Sequence, residues 1–122
     1  MTVAVHDLAA GLRAYALAFG LEPTDESVDS LLGARTARLP LEQGAIVLAA
    51  PLTDDGPLAR GLAAHGAGLY SVTVAVENLQ GIVDWMRGRG VGVRVEEPEG
   101  ALVAALPDMG SAHGARIEVA QA

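Results

Sequence analysis

The chain has no cysteine, which excludes disulfide staples, thiolate metal ligands and thiol nucleophiles. It also has no lysine: all eight basic residues are arginine, against 15 acidic residues, for a net charge of −7. No basic face is therefore available to neutralise a run of phosphates, and nucleic acid is excluded as an expected partner. No apolar run approaches the roughly 18 residues of a membrane span, and no basic segment precedes an apolar stretch near Met1 as in a secretory signal. The expectation is a cytoplasmic protein without a membrane partner. Aromatic residues are scarce, at 3%, whereas 51% of the chain is hydrophobic. That is ample for one core, so 122 residues are expected to form a single domain, 1–122.

The strongest internal signal is a repeat. Thr2-Val3-Ala4-Val5 recurs as Thr73-Val74-Ala75-Val76, an offset of 71 residues. At the same offset Asp7 matches Asn78, both good helix N-caps, and Leu8 matches Leu79, the first apolar residue of the following helix. After the first cap, Leu8, Leu12, Tyr15 and Phe19 fall on one helix face before Gly20; after the second, Leu79, Val83 and Met86 do so before Gly90. Each half thus opens with a strand, a helix and a glycine stop.

Short β-prone pieces follow each helix, at residues 34–40 and 44–50 in the first half and at 91–96, 101–106 and 114–120 in the second. Symmetry asks for one more strand in the first half, inside residues 21–30, although Glu22 to Ser27 have weak β propensity. Between the halves, Pro57 at a first helical position, Leu58, Leu62 and Gly66 describe a linking helix. The predicted fold is α+β, with two tandem βαβββ modules: module 1 over about 1–51, the linker over 57–66 and module 2 over 68–120.

Several segments resemble the glyoxalase/bleomycin-resistance/dioxygenase (vicinal oxygen chelate) superfamily. They are Val3 to Leu8, Ala50-Pro51-Leu52, Asp54 to Ala59, Gly66 to Leu69, His113-Gly114 and Ile117-Glu118-Val119. Their order is most similar to that of methylmalonyl-CoA epimerase-like members. The resemblance implies a sheet curled around a cleft, a homodimer, and four metal ligands, two from each module. Carried over position by position, the first family His falls ahead of Met1, the second lands on Ser71, the first-half carboxylate or amide lands on Val47, and only Glu118 matches. Val47 and Glu118 are themselves 71 apart, so the repeat and the family motif agree. One strong donor does not hold a divalent ion. His6, His65 and His113 sit in turns or at element ends with no spacing that aims two of them at Glu118. No metal and no cofactor is expected, the alternative being one divalent ion.

Strand alternation assigns side chains to faces. Val3, Val5, Ile46, Leu48, Val72, Val74, Val76, Ile117 and Val119 fit the helix-packed face. The alternates are Thr2, Ala4, Ala45, Val47, Ser71, Thr73, Ala75, Arg116 and Glu118, with Thr36, Arg38 and Arg94 on the same side. The expected ligand contacts are Thr2, Arg38, Val47, Tyr70, Ser71, Thr73, Arg94, Arg116 and Glu118: polar points around an apolar centre, as small-molecule sites are usually lined. Arg116 would hold an anionic or carbonyl oxygen while Glu118 serves as the catalytic base or as a hydrogen-bond acceptor; charges this close on a strand also pair with each other. Tyr70 either stacks on a planar ligand or fills a gap at its strand start. Trp85 lies off the buried stripe, which suits helix-flank packing or a dimer contact. The glycine-rich pieces near Gly88 and Gly110 do not follow a strand into a helix, so no nucleotide loop is assigned.

Three functions follow. The first is metal-independent binding of a small, partly apolar or planar molecule, either sequestering it as resistance-type members do or acting on it without metal. The second is a metal-dependent isomerase or lyase of the epimerase or glyoxalase type. The third is a dimeric structural or regulatory domain.

Overall fold

The computed structural model describes residues 1–108, 110 and 115–122. It divides into two compact units, Met1–Tyr70 and Ser71–Ala122. Unit 1 contains β1 (Thr2–Ala4), α1 (Leu8–Phe19), β2 (Asp25–Asp29), β3 (Ala34–Pro40), β4 (Ala45–Pro51) and α2 (Pro57–His65). The unit boundary falls inside β5 (Gly68–Val76), and unit 2 continues with α3 (Leu79–Gly88), β6 (Val93–Glu96), β7 (Ala104–Pro107) and β8 (Ile117–Gln121). His113, and the Gly114 at which the last strand was expected to begin, lie outside the described residues.

Both units share one plan. Strand order is β2-β3-β4-β1 in unit 1 and β5-β8-β7-β6 in unit 2, so each opening strand lies beside the last strand of its own unit. That pairing is parallel, and the other pairs are antiparallel. The helix starts match as well. The Asp7 carboxylate accepts from the Ala10 amide at 2.9 Å and the Asn78 side-chain oxygen accepts from the Gly81 amide at 3.0 Å, each satisfying an orphan donor of the first turn. The predicted α+β pattern of two βαβββ modules is therefore the observed one.

β2 is the strand that propensity least supports, and its neighbour supplies what its sequence lacks. It pairs with β3 over its whole length, from Asp25 opposite Arg38 to Asp29 opposite Ala34. The Ser27 and Thr36 hydroxyls are hydrogen-bonded at 3.0 Å, and the Asp29 carboxylate accepts from the amides of Leu31 and Leu32, which turns the chain towards β3.

In unit 1, α1 packs Leu8, Leu12 and Tyr15 on Leu39, Ile46 and Leu48. Phe19, expected to complete that stripe, is 67% exposed, and its ring lies 5.7 Å from that of Tyr15 between centroids. α2 covers part of the opposite face, where Leu58 and Leu62 bury Ala4, Ala34 and Ala49. Ala4 was expected on an open face, and the linking helix closes it.

In unit 2, Leu79 and Val83 of α3 pack with Ala105 and Val119, and Val93 and Val95 lie against that cluster. α3 lies over β6, β7 and β8. Val72 and Val74, expected beneath a helix, remain 37% and 47% exposed on β5. The Gln121 side chain ties β8 to the start of α3: its oxygen accepts from the Leu79 amide, and its nitrogen donates to the Val76 and Glu77 carbonyls. Among the described residues no helix is long and apolar enough to cross a membrane.

Candidate functional site

Residues directly opposite each other in a sheet point to the same face, so register settles what alternation predicted. In unit 1 Thr2 lies opposite Val47, Val47 opposite Arg38, and Arg38 opposite Asp25. These four make one row across β1, β4, β3 and β2, on the face away from α1. Ala4, Ala49, Thr36 and Ser27 form the adjacent row, and α2 covers the alanine end of it. Thr2 and Val47 are half-buried and Arg38 is exposed. The sequence-predicted Thr2, Thr36, Arg38 and Val47 are thus brought together.

Unit 2 repeats the row with different chemistry. Thr73 lies opposite Glu118 on β8, and Arg94 lies opposite Leu106 on β7. Ala104 opposite Ala120, two residues on from Glu118, puts Leu106 and Arg94 on the Glu118 face as well. Arg116 precedes β8 and is held by its carbonyl, which accepts from the Val72 amide at 3.1 Å. Glu118 and Arg116 are half-buried, and Thr73 and Arg94 are exposed. Ser71, two residues before Thr73, is only 9% exposed. The face opposite α3 therefore carries a carboxylate between a threonine and an apolar residue, with Arg94 on the strand beyond the apolar residue.

The two rows superpose through the repeat: Thr2 opposite Val47 corresponds to Thr73 opposite Glu118, each residue shifted by 71. A carboxylate on one unit is replaced by an isopropyl group on the other. Asp25, Ser27 and Leu106 share these faces and were not singled out from sequence. The strands that carry them were expected, inside residues 21–30 and at 101–106, but the register that places these residues on the faces is set by the partner strands.

Tyr70 is half-buried against the Ala4, Ala49, Leu58 and Leu62 cluster. A Cβ at Gly61 would come within 2.9 Å of its Cε2, so α2 approaches the ring because that residue is glycine. Trp85 is exposed on α3 with the Arg89 guanidinium 4.3 Å from its ring centroid, a cation–π contact at i, i+4.

A divalent ion needs three or more oxygen, nitrogen or sulfur donors converging on it. The positions that the family resemblance supplies carry an isopropyl group at Val47, a hydroxyl at Ser71 and a carboxylate at Glu118. His6 and His65 are exposed at element ends. Among the described residues no three His, Asp or Glu side chains come together in a way that would hold an ion. The described residues do not fit the metal.

The family model of the Glyoxalase/Bleomycin resistance protein/Dioxygenase superfamily matches residues 1–110, and the chain belongs to that superfamily. Among solved structures it is similar to methylmalonyl-CoA epimerase from Mycobacterium tuberculosis, with TM-score 0.85 and 23% identity over 98% of this chain and 83% of that one. It is also similar to a Streptomyces coelicolor methylmalonyl-CoA epimerase variant in complex with 2-nitronate-propionyl-CoA, with TM-score 0.82 and 22% identity over 99% and 93%. A hypothetical protein from Bacillus halodurans C-125 gives TM-score 0.87 and 21% identity over 99% and 90%. At these identities the likeness establishes the fold. No curated protein sequence matches the chain.

Proposed function

We propose that the chain binds a small molecule on a strand face turned away from α1 or from α3, and sequesters it or acts on it without a divalent metal. The observation that carries this reading is the register that sets Glu118 beside Thr73 in unit 2 and Val47 beside Thr2 in unit 1. The unit 2 face carries a carboxylate and a threonine beside the apolar Leu106, and the unit 1 face presents an apolar centre beside Arg38; each has the polar points and apolar surface that small-ligand sites combine. In this reading Arg116 or Arg94 holds an anionic or carbonyl oxygen, and Glu118 accepts a hydrogen bond or a proton from the ligand.

The fold neighbours favour the second reading over this one. Two of the three are methylmalonyl-CoA epimerases, one of them holding a CoA ester, which supports a metal-dependent isomerase or lyase acting on a carbonyl substrate.

Calorimetry with acyl-CoA thioesters, short carboxylic acids and planar aromatic acids, run with EDTA and then with added cobalt, separates the two. The first reading expects binding in EDTA, with a dissociation constant of about 100 μM or tighter, unchanged by cobalt. Binding or turnover of methylmalonyl-CoA that appears only with cobalt would replace it with the second. Ligand recovered unchanged after incubation means sequestration; ligand recovered altered means a metal-free enzyme.

A further inference from the structure

We infer that Asp55–Gly56 is a site of spontaneous covalent modification, where Asp55 converts through a cyclic imide to isoaspartate, and that Arg60 promotes the step. Asp55 is the only aspartate that glycine follows in this chain, and the single asparagine precedes a leucine. The rearrangement needs the backbone nitrogen of the following residue to reach the side-chain carboxyl carbon. A following side chain obstructs that approach, and glycine has none. Residues 52–56 lie outside helix and strand, and Asp55 is exposed. Other aspartates are held. The Asp29 carboxylate, ahead of Ser30, accepts from the amides of Leu31 and Leu32, and that of Asp7 accepts from Ala10. No such bond holds the Asp55 carboxylate among the described residues.

Arg60 supplies the second element. Its Nη1 donates to the main-chain carbonyl of Asp55 at 2.6 Å. The guanidinium is protonated at every accessible pH and draws electron density from the Asp55–Gly56 amide, which makes the Gly56 N–H more acidic. The Gly56 nitrogen attacks Cγ of Asp55; a C–N bond forms, and the carboxyl hydroxyl leaves as water with the amide proton. Water then adds to one of the two imide carbonyls. Opening at the former main-chain carbonyl, the one Arg60 polarises, leaves the chain running through Cβ and Cγ, which is isoaspartate. Opening at Cγ restores aspartate. One water is lost, one is gained, and no electrons are exchanged.

The product carries one more backbone carbon in a segment pinned at both ends. The Leu52 amide donates to the Gly33 carbonyl at 2.9 Å and the Leu58 amide to the Leu32 carbonyl at 3.1 Å. Between them Gly56 is closely packed, since a Cβ there would lie 3.3 Å from the Leu32 carbonyl oxygen. The extra carbon therefore loosens the start of α2, which seats Leu58 on Ala4, Ala34 and Ala49.

The test is incubation of the full chain at neutral pH and physiological temperature, followed by peptide mapping with electron-transfer fragmentation, which distinguishes isoaspartate from aspartate. Isoaspartate is expected at residue 55 ahead of every other aspartate, preceded by a species lighter by one water. Asp55→Glu, which has to close a larger ring, is expected to show no conversion there. Arg60→Gln is expected to convert at least ~3-fold more slowly and to give a smaller share of isoaspartate, because a neutral donor polarises the carbonyl less than a charged one. The isoaspartyl form, separated by chromatography, is expected to unfold at a lower urea midpoint than the parent. Asp55 and Arg60 are both exposed, and circular dichroism verifies that the variants fold. Asp55 left intact in the full chain while a synthetic peptide of residues 52–60 converts would overturn the inference. So would conversion in Arg60→Gln as fast as in the parent.

Discussion

Replacing Leu48 with Ala lowers the stability of unit 1 by about 3 kcal/mol, the middle of the range for emptying a fully enclosed leucine site. Leu48 is 0% exposed and sits where three elements meet. Ala37 of β3 and Val3 of β1 lie opposite it in the sheet, and α1 lies above it. The helix comes this close because Gly11 has no side chain: a Cβ there would be 3.3 Å from Leu48 Cδ1 and from Val5 Cγ1. Neighbours held at that distance on a helix and two paired strands relax little into a cavity, which keeps the cost near the transfer-plus-void value rather than the transfer value alone. Urea unfolding measures it, as a fall in the midpoint at unchanged slope. Leu17→Ala on α1, where the leucine is 91% exposed, is the matched control and changes stability by no more than about 0.5 kcal/mol. Equal effects at the two positions would contradict the placement of the core.

Glu118→Gln weakens ligand binding at least tenfold, that is by about 1.4 kcal/mol or more, in a variant whose fold is verified by circular dichroism. The carboxylate and the amide have nearly the same shape, so the substitution removes the charge and replaces one acceptor with a donor. A hydrogen bond to a charged acceptor contributes about twice what a neutral one does, and the loss is largest if the ligand group facing Glu118 is itself a donor. Val47→Ala at the repeat-equivalent place removes only two methyl groups and is expected to weaken binding less than tenfold. Ile82→Ser on α3 leaves affinity unchanged. Calorimetry with the tightest ligand of the panel reads all three. An unchanged affinity in Glu118→Gln would remove Glu118 from the site, and a larger loss in Val47→Ala than in Glu118→Gln would move the dominant contact to unit 1.

The repeat was the most legible feature of this sequence, because it is written redundantly. Strand, cap and helix start recur together at one offset, and the capping hydrogen bonds of Asp7 and Asn78 show the same local chemistry at both places. Face assignment by alternation was also legible, since pleating allows no other choice once a strand is located. What lay outside the sequence depends on tertiary partners. β2 carries acidic and hydroxyl residues that no propensity scale favours in a strand, and it forms because β3 offers a complete ladder with matching hydroxyls. Ala4 reads as an open-face residue until α2 is seen to lie over it. Val72 and Val74 read as core because they alternate correctly, but α3 covers β6 to β8 and leaves them partly exposed. Asp25 and Leu106 were missed at the candidate site because a residue's row is a matter of register, and register is set by the partner strand.

In the proposed function this superfamily member takes a small molecule on a strand face turned away from α1 or from α3. Backbone and methyl chemical-shift mapping tests it most directly, on the full chain in EDTA, titrated with the tightest ligand of the calorimetric panel. Perturbed signals are expected at Thr73, Arg94 and Glu118 on unit 2 or at Thr2, Arg38 and Val47 on unit 1, with Leu17 on α1 and Ile82 and Trp85 on α3 unmoved. Perturbations confined to those helix surfaces, or no perturbation with any member of the panel, would contradict it.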